Sequence, residues 1–309
     1  MAKTDPSLNT RRIILFVGLT FGLTWLYCLT VLYPRLAGGS LTTPAISLQL
    51  LTAAVMFIPA LGVLLTRFIT GEGLQNPWLR PHFRGNLNVY LLAWFGPGLL
   101  TLLGAGIYFL LFPGSFDPEL GYMAQTLAAA GADLSALPVP LPALLAVQLV
   151  QALVLAPVLN VLTCFGEEWG WRGYLLPKLA DKLPPLPLLL VSGVIWGLWH
   201  APLTIVGHNY GLDYPGFPFT GIAAMCLFCV CTGAFLSYVT LKTGSCIPAV
   251  LGHGAINGIG AVGMFLTADG GNPFIGPAPM GIVGGLPFLA LAILLYVTYF
   301  SRRQSGSSC

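Results

Sequence analysis

Long apolar runs separated by short polar links make up nearly the whole chain. Runs of roughly 18 or more apolar residues are long enough to cross a bilayer as helices. Read this way, the pattern predicts helices over 13–33, 45–68, 87–112, 141–179, 186–206, 219–241, 245–267 and 280–300. The third contains Gly96-Pro97-Gly98, where a kink is expected. The fourth run, at 39 residues, is too long for one span at about 1.5 Å of rise per residue. It reads either as one long tilted helix, with Pro157 as a kink site, or as an interfacial segment followed by a spanning helix. The link from Pro113 to Pro140 reads as a loop. The first run follows a charged segment without a convincing small-residue cleavage site, so it reads as a retained helix. No internal repeat or low-complexity segment is evident. The expected fold class is all-α: a polytopic membrane bundle of about eight transmembrane helices, forming a single integral membrane domain over 1–309.

Composition agrees. The chain of 309 residues is 56% hydrophobic and 7% charged, where a soluble domain carries about 25% charged residues. The net charge of +3 is too small to suggest a nucleic-acid partner; the expected partners are the lipid bilayer and a membrane-associated protein or peptide. With eight spans, Lys3, Arg11 and Arg12 fall on the same side as Arg67, Arg80, Arg84, Lys178, Lys182, Lys242, Arg302 and Arg303. The opposite links carry Asp117, Glu119, Asp133, Asp213 and Asp269, with Arg35 as the exception. By the positive-inside rule both termini are then cytoplasmic. The expected location is the plasma membrane of a prokaryote. Most cysteines sit in apolar runs, and Cys226, Cys229 and Cys231 read as small packing residues rather than metal ligands. Cys309 ends a Ser/Gly tail.

Against this background a few polar residues inside the runs stand out. Glu167 and Glu168 are adjacent in the fourth run, although the whole chain has only 10 acidic residues. An ionisable group at membrane depth costs roughly 2.5–3.5 kcal/mol even on insertion scales, so such a pair marks a functional site by default. On a helix the two side chains diverge by about 100°. Arg172 stands four residues after Glu168, a spacing that favours an ion pair and leaves Glu167 to face elsewhere. The bland alternative is an interfacial ion pair at a helix end. The fifth run carries Trp196 and His200, and the seventh carries His253 and Asn257, four apart on one helix face. Counting from the basic flanks, Glu167 and His253 lie roughly 16 Å deep and His200 roughly 22 Å, so the three helices can bring them together. His82 and His208 read as loop residues.

A carboxylate can act as general base on water, a neighbouring His can orient that water or move its proton, and a second His with an Asn amide can donate to a developing oxyanion. Such a set hydrolyses an amide without a covalent nucleophile. Two His and one Glu can also hold zinc; no His-Glu-x-x-His motif accompanies them, and Asn257 suits a donor pair better than a ligand. A proton-relay transporter would use the same residues, but inverted repeats are missing.

Glu167-Glu168-x3-Arg172, Trp196-x3-His200 and His253-x3-Asn257, in this order on successive helices, resemble the signature of the CAAX-protease and bacteriocin-processing family of intramembrane glutamic endopeptidases. The resemblance covers about 141–267, the expected catalytic core. It implies a metal- and cofactor-independent peptide hydrolase in which Glu167 activates water with help from His200. His253 and Asn257 would form the oxyanion hole, and Glu168 and Arg172 would support the site. It also implies an eight-helix bundle whose cavity opens towards the cytoplasm. Trp196 stands where the family commonly has Phe, a change expected to alter cavity shape more than chemistry. Some relatives act as immunity proteins or scaffolds, so a non-enzymatic role on the same fold is the competing expectation.

Overall fold

A computed structural model of the chain describes residues 6–37 and 45–302; Lys3, Arg303 and Cys309 lie outside them. Among the described residues there are helices and turns but no strand beyond one isolated bridge, Asn272 to Gly276. α1 covers 6–37 and α2 45–69, followed by α3 (Leu87–Leu111), α4 (Gly121–Ala129), α5 (Leu141–Val154) and α6 (Ala156–Leu159). α7 covers 161–180, α8 is Pro185–Trp199, α9 Ala201–Ile205, α10 Phe219–Thr243 and α11 Ile247–Ile259, and α12 covers 286–300. Among the described residues, five helical segments are long and apolar enough to cross a membrane: Ser7–Arg35, Gln49–Ile69, Leu87–Leu111, Phe219–Thr243 and Ile247–Leu266. Leu141–Val154, Pro185–Trp199 and Leu286–Phe300 are apolar but shorter. The molecule is a polytopic helical membrane bundle.

Four boundaries differ from the sequence expectation. The run 141–179 is not one continuous helix: it breaks at Leu155 and again at Asn160. Pro157 lacks the N–H that would bond Leu153, and Asn160 Nδ2 stabilises the second break by donating to the carbonyls of Ala156 (3.0 Å) and Gly254 (3.2 Å). The fifth run pauses at His200 before Pro202, dividing α8 from α9. α12 starts at Leu286 rather than near 280, because 274–285 folds back on itself through Ile282 N–H to Phe274 carbonyl (2.7 Å) and Val283 N–H to Ile275 carbonyl (2.8 Å). The link 113–140 contains α4, which Asp117 Oδ2 helps to start by accepting from Gly121 N–H at 2.8 Å. α3 runs unbroken through Pro97.

Small residues set the helix spacing around the centre. A methyl group on Gly166 of α7 would sit 2.5 Å from the Met56 carbonyl oxygen of α2, and one on Gly193 of α8 would sit 2.6 Å from Val230 Cα of α10. Packing of this kind, backbone against backbone, replaces the hydrophobic drive that is missing between helices in lipid.

The bundle has two chemically distinct ends. At one, Glu72 binds Lys178 Nζ (2.5 Å), Arg12 Nε (3.5 Å) and the Tyr174 hydroxyl (2.7 Å). The same end holds His82, whose Nδ1 donates to the Thr243 carbonyl at 3.1 Å, and Lys242 against the Tyr299 ring. The other end joins 115–125, 206–214 and 260–285, through Asp117 N–H to Leu266 carbonyl (2.9 Å) and Gln125 Nε2 to Ala268 carbonyl (2.9 Å).

Candidate active site

α7 carries both glutamates near its middle, just before the helix widens into a π turn over Trp171–Leu175. Such one-turn widenings recur at functional sites. Glu167 and Glu168 are 2% and 0% exposed, yet they face different neighbours, as their angular separation requires. Glu168 Oε1 accepts from Arg172 at 2.9 Å and pairs with His253 Nδ1 at 2.9 Å. Its Oε2 has no protein partner. Glu167 Oε2 instead accepts from the Trp196 indole N–H at 2.9 Å.

Trp196 is the hub of the constellation. Its ring lies under the Arg172 guanidinium, 4.1 Å from the centroid, and meets His253 edge-on with centroids 5.4 Å apart. Its carbonyl accepts from His200 Nδ1 at 2.9 Å. Gly233 of α10 leaves space for the guanidinium, since a Cβ there would be 3.1 Å from its terminal nitrogen. Trp199, one turn along, packs on His200 at 4.7 Å and donates to Thr24 of α1 at 2.7 Å, which ties α8 to the first helix.

These bonds settle which ring nitrogens remain for other work. A carbonyl only accepts, so His200 donates from Nδ1, and its Nε2 is left with a lone pair. A carboxylate only accepts, so His253 donates from Nδ1 to Glu168; its Nε2 is a donor in the imidazolium form. With His253 so charged, Glu167, Glu168, Arg172 and His253 sum to zero, which suits a buried group of four.

A cavity of about 660 Å³ lies beside them, and Glu167, His200, His253 and Asn257 all line it. Glu168 and Arg172 do not; they stand behind the wall. Asn257 is exposed to this space, its amide making only a weak contact with Cys164 Sγ at 3.7 Å. The remaining lining is mostly apolar, with His208, Asn209 and segment 270–280 closing the far end. Among the described residues, no three His, Cys, Asp or Glu side chains converge in a geometry that holds a metal ion. Cys226 and Cys229 of α10 pack near α8, Cys229 Sγ 3.9 Å from His200 Nδ1.

All six site residues expected from the sequence are thus neighbours. Three features were not legible. The Glu168–His253 bond escaped because the spacing argument treats one helix at a time. The Trp196–Glu167 bond adds a polar role to the expectation that tryptophan there alters cavity shape more than chemistry; an indole has a donor where a phenyl has none. His208, expected as a plain loop residue, is a loop residue that lines the cavity. The cavity lining includes Gln49, Thr52, His208, Asn209 and residues between 260 and 280, at the end of the bundle opposite Lys178, Lys242 and Arg80.

Comparison with known proteins bears on the same stretch. Residues 149–259 match the family described as type II CAAX prenyl endopeptidase Rce1-like. A CAAX prenyl protease 2 from Methanococcus maripaludis is 39% identical over 44 residues, which is 14% of this chain and 16% of that protein. The matched segment, 149–259, carries all six site residues.

Proposed function

We propose that the protein is an intramembrane endopeptidase in which Glu167 activates water to hydrolyse a peptide bond of a membrane-associated protein or peptide. It would act without a metal, in the plasma membrane of a prokaryote with both termini cytoplasmic. The observation that carries this reading is the division at the cavity wall: Glu167, His200, His253 and Asn257 line the cavity, while Glu168 and Arg172 sit behind it.

In this reading Glu167 takes a proton from a water that His200 Nε2 orients by accepting its other hydrogen. The hydroxide forms a bond to the scissile carbonyl carbon. The carbonyl oxygen gains the negative charge, and His253 Nε2 with the Asn257 amide donates to it. On collapse the C–N bond breaks, and the Glu167 proton passes to the leaving nitrogen. Glu168 keeps His253 oriented and charged through Nδ1, and Arg172 balances Glu168. The Rce1-like match supports a protease of this class; a prenylated substrate does not follow from it, because the match to the named CAAX protease spans so little of that protein.

The test is cleavage of peptides by the purified protein, comparing wild type with Glu167→Gln. Glutamine keeps the shape and still accepts from Trp196 but cannot take the proton. Turnover should fall by about 10²–10⁴-fold, as for a lost general base, with an unchanged melting temperature, and wild-type activity should survive EDTA and o-phenanthroline. Normal cleavage by the variant, or activity lost to chelator and restored by zinc, would overturn the mechanism.

A further inference from the structure

We infer that the basic end of the bundle holds a binding site for the phosphate of an anionic glycerophospholipid, built by Arg12 of α1, Arg67 of α2 and Lys178 of α7. The site lies apart from the cavity and stands whether or not the protein cleaves peptides.

Three observations carry it. The first is an unbalanced buried charge. Arg12 and Arg67 are 5% and 6% exposed, and Lys178 is half-buried. Glu72 pairs with Lys178 Nζ at 2.5 Å and with Arg12 Nε at 3.5 Å. The Tyr174 hydroxyl donates to Glu72, and the ring of Tyr174 carries Lys178 on it at 4.4 Å and Arg67 at 5.3 Å. The three cations are thus gathered around one tyrosine and one carboxylate. Among the described residues, no other carboxylate comes within ion-pair distance of them. Three positive charges against one negative leave two without a counter-charge. Buried charges are costly unless they are paired, so what the cluster lacks is an anion.

The second is unused donors. Arg12 reaches Thr70 (3.3 Å) and Glu72 through Nε alone, which leaves its two terminal nitrogens for another acceptor. Arg67 is held through Nη1 by the carbonyls of Gly73 (2.7 Å) and Gln75 (3.1 Å), while its Nε has no partner among the described residues. A guanidinium fork matches the oxygens of a phosphate.

The third says which phosphate. Phe68, next to Arg67, is 86% exposed, and Leu74, between the two residues whose carbonyls hold Arg67, is 75% exposed. In a chain that spans a bilayer, large apolar side chains on the outer surface meet acyl chains. Cations set between helices beside such a surface are the arrangement that binds anionic lipid headgroups. A free phosphate ion would meet the cations but gain nothing from Phe68 and Leu74. Bound there, the lipid would clamp α1 and α2 against α7, the helix that carries Glu167.

The experiment follows the melting temperature of the purified full chain in a neutral detergent. Dioctanoyl phosphatidylglycerol should raise it saturably. Dioctanoyl phosphatidylcholine and inorganic phosphate at the same concentration should not. Arg12→Gln should weaken the apparent affinity for phosphatidylglycerol by about fivefold, the worth of one cation at an anionic membrane surface. Arg84→Gln, at an exposed position of the same end, should leave that affinity unchanged. An equal rise with phosphatidylcholine would reveal a general lipid effect, and an equal rise with inorganic phosphate a free-phosphate site. Equal losses in the two variants, or none in Arg12→Gln, would reveal diffuse attraction to the basic end. Each of these results overturns the inference. Should Arg12→Gln fail to fold, wild type decides: phosphatidylglycerol with a photoreactive headgroup should crosslink within 9–14, 66–76 or 174–182, and crosslinks confined to other segments refute the site. None of these readouts uses peptide cleavage, so the site and the protease reading fail separately.

Discussion

Replacing Trp196 with phenylalanine tests whether the indole N–H, and not merely its bulk, serves the site. The substitution removes the one protein donor described for Glu167 and little else. The ring stays under Arg172 and against His253, and the backbone carbonyl still accepts from His200. Both partners of the lost bond are buried, Trp196 at 3% and Glu167 at 2% exposed, and both line the cavity, so only a cavity water is placed to replace the indole donor. Hydrogen bonds to charged groups are worth about 1.5–3 kcal/mol. If that energy holds the carboxylate in its productive orientation, its loss slows the reaction by about 10–150-fold, at 1.36 kcal/mol per decade. Trp196→Phe should therefore lower kcat for peptide cleavage by one to two decades, by about that factor, leaving KM within about twofold. Leaving a buried group without its partner costs stability about 1–3 kcal/mol, so the melting temperature should fall modestly, and kcat is compared where both proteins are fully folded. A Trp196→Phe protein that cleaves at the wild-type rate would show that the bond to Glu167 is incidental to catalysis.

Two further outcomes follow from the same geometry. Glu168→Gln leaves Arg172 uncompensated and loosens His253, and removing one partner of a buried pair costs roughly 3–5 kcal/mol; a marked drop in melting temperature should accompany its loss of activity, Arg172→Ala should behave alike, and a stable, active Glu168→Gln would refute the support role. At the basic end, burial pushes the Glu72 carboxyl up, but the hydrogen bonds and charges of Lys178 and Tyr174, with Arg67, outweigh it and hold the group below its ordinary value. A depressed folded value means that the stabilisation is present above the unfolded value, about 4.3, and is lost as pH falls through the folded one. Wild type should thus melt above Glu72→Gln at neutral pH, with the gap closing below the ordinary carboxylate range; a gap independent of pH would show that the ionised form contributes nothing.

How far the sequence spoke depended on the range of each interaction. Hydrophobic runs are a local property, and in a bilayer an apolar stretch of sufficient length must become a helix because its backbone has no other hydrogen-bond partner. That is why the fold class, the order of the helices and the placement of Glu167, His200 and His253 within them were legible. The Glu168–Arg172 pair was legible for the same reason: one helical turn sets it. Breaks were harder. Pro157 announced itself, but the stop at Asn160 depends on the Gly254 carbonyl of a helix 94 residues away. The late start of α12 depends on a loop that folds onto itself.

What only the tertiary structure decided is how the helices face one another. Whether His253 meets Glu168 or Glu167 and whether the Trp196 N–H finds a carboxylate follow from helix rotation and spacing. Those are fixed by contacts such as Gly166 on Met56 and Gly193 on Val230, between residues far apart in sequence. The residues themselves specify the chemistry available to the site. The packing of backbone on backbone specifies which of those residues touch.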